Sequence, residues 1–189
     1  MEQRPSVLVA ASTDPDLCSL AQAVFTSQSM RVSSSNDVIG VEIAGALKNV
    51  LAIAAGIVQG MDLGLNATAA VIAQGTQEIR WLAERMGANP ATISGVSGLG
   101  DIMLTCYGSL SRNRTVGVRL GQGEQLADIV GSSSQVAEGV ETARVCIMLA
   151  AEHRVQLPVL TAVAQVVDGN LSPQTAVNAV MDLPQIEER

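Results

Sequence analysis

The chain has 189 residues, enough to bury one sizeable core, and is 48% apolar but only 2% aromatic, so that core must be built from Ala, Val, Leu, Ile and Met, as in closely packed helices. A formal net charge of -7 with scattered Lys and Arg excludes the basic footprint of a nucleic-acid or anionic-membrane binder. Three distant cysteines (Cys18, Cys106, Cys146) without C-x-x-C spacing argue against a disulfide framework or zinc site and fit a reducing compartment, while polar interruptions of the apolar runs predict no membrane span.

Val7-Leu8-Val9-Ala10-Ala11 reads as a short buried strand. Thr13-Asp14-Pro15 then supplies a cap and an initial proline for a helix through Leu17, Leu20, Ala21, Val24 and Phe25. Met30 to Ser33 reads as a second strand, closed by the polar stretch Ser34-Ser35-Asn36-Asp37. From Val38 the period changes: Ile43, Leu47, Val50, Ala54 and Ile57 fall three or four apart on one helical face. A further helix begins near Asn66 and runs through Ile72, Ile79 and Leu82 to Gly87, a natural terminator, and Asn89-Pro90 starts another. Beyond a Gly-rich segment, helices are expected near Val140 to Glu152, from Val159 to Val167, and from Ser172-Pro173 to a stop before Pro184. The boundary falls near Asn36, between a small α/β piece (1–36) and an all-helical domain (37–189).

Four segments carry chemistry. Lys48 sits on an otherwise apolar helix among the small residues Ala44, Gly45, Ala52 and Ala55, which leave room for a ligand or another backbone. In a partly desolvated cleft it could offer a neutral amine as general base; the alternative is a lysine that snorkels to solvent. Gly95-Val96-Ser97-Gly98-Leu99-Gly100-Asp101 has its glycines in the order G-x-x-G-x-G, with no long apolar strand before them, so it is not a dinucleotide fingerprint. A close-packed turn with Asp101 as a helix cap is the bland reading. Cys106 lacks any visible link to His153, the only histidine, which argues against a Cys-His hydrolase. Ser111-Arg112-Asn113-Arg114 places two guanidinium groups, a hydroxyl and an amide near a helix start, a set that can surround a phosphate or, equally, form an exposed polar turn. Gln135-Val136-Ala137-Glu138-Gly139-Val140 puts a carboxylate in a loop before a helix; spacing does not separate a ribose-binding Glu138 from a capping one.

Taken together these segments resemble the bacterial and plastid type of NAD(P)-dependent glycerol-3-phosphate dehydrogenase. The resemblance runs in order through Glu42-Ile43-Ala44-Gly45-Ala46-Leu47-Lys48-Asn49, where Ala44 replaces a glycine, then Gly98-Leu99-Gly100-Asp101 with Thr105-Cys106, Ser111 to Arg114, and Val136, Glu138 and Gly139. It implies a mainly α, bundle-like C-terminal domain, similar to that of 6-phosphogluconate dehydrogenase, preceded by a β-α-β remnant of a Rossmann domain. It implies Lys48 as proton acceptor, with Lys48, Asp101, Ser111, Arg112 and Asn113 touching glycerol 3-phosphate or dihydroxyacetone phosphate, and Arg112, Val136 and Glu138 bordering NAD or NADP. It also implies a supply of glycerophospholipid precursors, a homodimer, and a cytoplasmic location, or the plastid stroma in a photosynthetic eukaryote. The family's N-terminal dinucleotide domain has no counterpart in this sequence, so the chain is expected to be a fragment, inactive alone. Its first strand should then have poorly covered faces.

Two other readings compete. The chain could be a non-catalytic helical interaction or dimerisation module, or a dehydrogenase acting on another small hydroxy acid; the Ser-Arg-Asn-Arg cluster speaks against the second. The preferred reading requires Lys48, Asp101 and Arg112 to converge on one cleft.

Overall fold

A computed structural model describes residues 4–132 and 137–183. Strands β1 (Ser6–Ala11) and β2 (Met30–Ser35) pair in parallel, Ser6 opposite Met30 through Ala11 opposite Ser35. The crossover is helix α1 (Pro15–Phe25), started by the Asp14 carboxylate, which accepts from Asp16 N at 2.9 Å. β2 runs through Ser34 and Ser35, the residues expected to close it, because their backbones still pair with β1 while the side chains need not be buried. Val7 and Leu8 on β1, and Leu17, Leu20, Val24 and Phe25 on α1, stay substantially exposed, in keeping with the poorly covered faces expected for this piece.

The described residues beyond Asp37 are helical or in the turns between helices. The Asp37 carboxylate caps α2 (Val38–Gly60) through Gly40 N and also accepts from Asn89 N at 2.9 Å and Thr92 Oγ1 at 2.6 Å. That pins the short helix α4 (Pro90–Ile93) beside the start of α2. α2 is the central element. By length and mean hydropathy it could cross a membrane, so the polar interruptions are fewer than the sequence reading allowed. In this fold Val50, Leu51, Ala52 and Ile53 are all fully buried, on every side of the helix, because α3 (Gly64–Arg85), α5 (Asp101–Tyr107), α6 (Arg112–Gly121), α8 (Glu138–His153) and α9 (Pro158–Val167) surround it. α7 (Leu126–Gly131) and α10 (Pro173–Met181) complete the helical set, and Pro184, expected to end the chain's last helix, lies outside the described residues.

Near the C-terminal end of α2, small residues admit the backbone of another helix. Gly56 and Gly60 of α2 face Gly117 and Gly121 of α6 so closely that a Cβ on Gly117 would strike the Ile53 carbonyl, and one on Gly56 the Arg114 carbonyl. Reciprocal glycines four apart let two helices meet at backbone distance.

Among the described residues one carboxylate is fully buried. Glu78 of α3 accepts from Val159 N at 2.9 Å, Leu160 N at 3.1 Å and Gln74 Nε2 at 3.2 Å, supplying from across the fold the cap that Leu157 cannot give α9. Burial pushes its carboxyl up to about 7 against the pull of those donors. A carboxyl that holds its proton more tightly when folded contributes stability that is present below the unfolded value of 4.5 and lost as pH rises towards 7. Thermal melts are therefore expected to show falling stability between about pH 5 and about pH 7.5, a slope that Glu78→Gln, which cannot titrate there, removes.

Candidate functional site

The glycine-rich segment is a π-helical turn, Val96–Gly100, closed by Gly100 N to Gly95 O at 3.2 Å and running directly into α5. Gly98 rests against the Ile93 carbonyl, where any Cβ would collide. The turn delivers Asp101 as the first residue of α5. Its side chain makes no cap; it pairs with Lys48 of α2, so the bland readings of both residues, capping and snorkelling, give way to an ion pair. Lys48 and Asp101 side chains are 23% and 33% exposed, so the pair sits at a cleft wall. Thr105 Oγ1 donates to the Asp101 carbonyl at 2.7 Å one turn on.

α6 begins on the same cleft. Ser111 caps it by accepting from Arg114 N at 3.2 Å, which fixes Arg112 as the first helical residue and Asn113 as the second. Arg112 is exposed and lines the cleft, whereas Arg114 turns away to donate from Nε to Gln59 Oε1 at 2.7 Å. Gln59 in turn donates to the Cys106 carbonyl at 3.4 Å. Only one of the two guanidinium groups therefore belongs to the site; residues two apart on a helix point to nearly opposite sides. Glu138 is the first residue of α8 rather than part of the loop before it, where its charge suits the positive end of the helix. Val136 lies outside the described residues.

The cleft, of about 520 Å³, is lined by Lys48, Asn49, Asp101, Thr105, Ser111, Arg112, Asn113 and Glu138 among others. A second cleft, of about 820 Å³, opens beside β1 between Val7, Leu8 and Val9 on one side and Glu42, Gly45, Ala46, Val96 and Ser97 on the other. Asn49, Asp101, Leu104 and Glu138 line both. A Cβ on Gly45 would meet nothing within 4 Å, so the floor of the second cleft is open space beside apolar strand residues. Of the six expected site residues that the structure describes, Lys48, Asp101, Ser111, Arg112, Asn113 and Glu138, all line the first cleft. Asn49, Leu104 and Thr105 line it too and were not singled out; Asn49 was legible only as the neighbour of Lys48.

Charge in the cleft is local. Lys48 and Arg112 bring two cationic groups to the cleft and Asp101 and Glu138 two carboxylates, in a chain that is acidic overall, and the N-terminal end of α6 adds its partial positive charge. Cys106 is fully buried, and burial pushes its thiol up to about 12; a cysteine nucleophile is excluded there. Among the described residues no group of three or more His, Cys, Asp or Glu is placed to hold a metal ion.

Residues 37–178 match the family described as NAD-dependent glycerol-3-phosphate dehydrogenase C-terminus. The chain is 59% identical over 188 residues to the chloroplastic glycerol-3-phosphate dehydrogenase [NAD(+)] of Oryza sativa, all of this chain aligning with 43% of that protein. It is 48% identical over 179 residues to glycerol-3-phosphate dehydrogenase [NAD(P)+] of Geobacter sulfurreducens, 95% of this chain aligning with 53% of that one. The crystal structure of glycerol-3-phosphate dehydrogenase from Coxiella burnetii superposes with a TM-score of 0.92 at 34% identity, covering 96% of this chain and 56% of that one. The chain thus spans about half the length of the curated relatives it matches. With a helical fold that the solved structure shares and a family match over most of its length, the chain belongs to the NAD-dependent glycerol-3-phosphate dehydrogenase C-terminal family.

Proposed function

We propose that this chain is the substrate-binding, proton-transferring half of an oxidoreductase that interconverts sn-glycerol 3-phosphate and dihydroxyacetone phosphate, and so supplies the glycerol phosphate backbone of phospholipids. The observation that carries the reading is that the Lys48–Asp101 pair and the capped start of α6, with Arg112, line one cleft. Arg112 and the α6 N-terminus suit a phosphate, since a guanidinium gives two parallel hydrogen bonds and helical N–H groups point the same way. A phosphate held there would leave the rest of a three-carbon chain in a cleft that Lys48 and Asn49 also line, and Asn49 lines the second cleft as well.

A nicotinamide dinucleotide, when bound, accepts or supplies the hydride. Val7, Leu8, Gly45, Val96, Asn49 and Glu138 would hold its reactive end in the second cleft. In the oxidative direction the amine of Lys48 takes the hydroxyl proton from the substrate's middle carbon. In the reductive direction the ammonium, held in place by Asp101, polarises the carbonyl and returns that proton. Residues 1–36 are read as the last strand-helix-strand portion of a dinucleotide-binding domain, and 37–189 as the catalytic domain.

Calorimetric titration of sn-glycerol 3-phosphate into this chain tests the phosphate assignment. Saturable binding is expected, weakened at least about 100-fold in Arg112→Ala, the loss of a charge-assisted bidentate contact. Equal binding by the wild type and the variant would remove Arg112 from the site.

A further inference from the structure

Two carboxylates fasten one segment of the chain to α2, at both ends of that segment. One is Asp101, which closes on Lys48. The other is Asp37, about three helical turns before Lys48 and on the same side of α2. Its Oδ1 accepts from Gly40 N at 3.0 Å and caps the helix, while its Oδ2 reaches out to accept from Asn89 N at 2.9 Å and Thr92 Oγ1 at 2.6 Å. A Cβ on Gly40 would lie 2.2 Å from that Oδ2 and 3.1 Å from Thr92 Cβ, so the reach to α4 requires glycine at residue 40. Partial burial raises the Asp37 carboxyl and its three donors lower it; the donors prevail, so it is ionised at neutral pH and the bonds are charge-assisted.

Between the two fastenings the segment is a continuous run of close contacts. The Thr92 carbonyl accepts from Gly95 N at 3.1 Å, and the Gly95 carbonyl accepts from Gly98 N at 3.3 Å and Gly100 N at 3.2 Å. Gly98 is seated on the Ile93 carbonyl, 2.2 Å from where a Cβ would stand, and Ile93 is buried. α4 and the π-helical turn are therefore packed as one body, and Asp101 is the next residue after that turn. Capping α2 uses one oxygen of Asp37; the other is spent on fixing that body. Asp37 N also donates to Ser35 Oγ at 3.1 Å, at the end of β2, so the same residue joins the α/β piece to the helical domain.

We infer that Asp37 is a positioning residue for the proton-transferring pair: through α4 and the π-helical turn it sets where Asp101 stands against Lys48. Its bearing on the reaction rests on the reading of Lys48 as the proton-transferring amine; the placement of the pair does not.

Lys48 is the chain's only lysine, so lysine-selective isotope labelling gives a single side-chain amine signal in NMR spectra of this chain. Asp37→Asn separates the two roles of Asp37, because an amide caps a helix as well as a carboxylate but has one acceptor oxygen instead of two. Asp101→Asn, which removes the partner charge, is expected to displace the Lys48 signal, and Asp37→Asn to displace it in the same direction, in variants that circular dichroism shows to be folded. Thr92→Val should displace it too, while Thr92→Ser, which keeps the donor, should leave it at the wild-type position. If Asp37→Asn does not fold, the Thr92 pair decides. A Lys48 signal unmoved in Asp37→Asn and Thr92→Val but displaced in Asp101→Asn overturns the inference; a signal unmoved in Asp101→Asn overturns it as well, since no pair would then exist to be placed.

With the N-terminal half of the Oryza sativa relative joined to this chain, Asp37→Asn should lower kcat about 100-fold, the cost of a small misplacement of a reacting group, with KM changed far less. Turnover lost in Lys48→Met but intact in Asp37→Asn overturns the inference. An unchanged kcat in Lys48→Met contradicts the proton-transfer reading instead, and the Lys48 signal then decides the placement by itself.

Discussion

Gly117→Val is expected to lower the melting temperature of this chain by about 10 °C, corresponding to about 3 kcal/mol for a protein of this size. The reason is the collision of any Cβ at residue 117 with the Ile53 carbonyl and the Gly56 backbone. Backbone cannot rotate aside as a side chain can, so α6 must move off α2. Alanine at the same position should also destabilise, although helix propensity alone favours it by about 1 kcal/mol. Gly131 is the control: it ends α7, a Cβ there meets nothing within 4 Å, and Gly131→Ala should be neutral or stabilising by up to about 1 kcal/mol. Circular dichroism melts of the three variants separate the packing term from the propensity term. The consequence reaches the site, because the start of α6 carries Arg112 and Asn113 and the glycine contact sets how far they stand from Lys48 and Asn49.

Lys48→Met should behave in the opposite way, with little effect on the fold and a large one on chemistry. The Lys48–Asp101 pair lies at a partly exposed cleft wall, and such pairs contribute at most about 1 kcal/mol to stability. Removing a proton-transferring group, by contrast, typically slows the chemical step by about 10² to 10⁴. In a chimera joining this chain to the N-terminal half of the rice relative, kcat should fall about 1,000-fold, about 4 kcal/mol in the barrier, with KM changed far less. A loss confined to KM would make Lys48 a binding group only.

The sequence reading reached the long elements because their signals accumulate. The period of Ile43, Leu47, Val50, Ala54 and Ile57 runs through α2 over many turns, and Asp14-Pro15 and Ser172-Pro173 are local devices that announce helix starts without tertiary help. α5 and α7, at 7 and 6 residues, are too short for a period to show, and the π-helical turn exists because Gly98 must fit against the Ile93 carbonyl, a contact from outside the segment. Within the site, the residue types were legible but their directions were not. Arg112 and Arg114 are equivalent in the sequence until Ser111 sets the helix start, after which one faces the cleft and the other Gln59. Asp101 gains its partner across 53 residues, and Asn113 its two partners across 64 and 26, so neither could be assigned by local spacing.

The most direct test of the central claim, that the residues lining one cleft hold a single substrate for hydride exchange, is NAD(P)+ reduction by the chimera with sn-glycerol 3-phosphate. Turnover is predicted, lost in Lys48→Met and, at subsaturating substrate, in Arg112→Ala. A chimera that folds and binds both sn-glycerol 3-phosphate and the dinucleotide, yet transfers no hydride, would contradict the account.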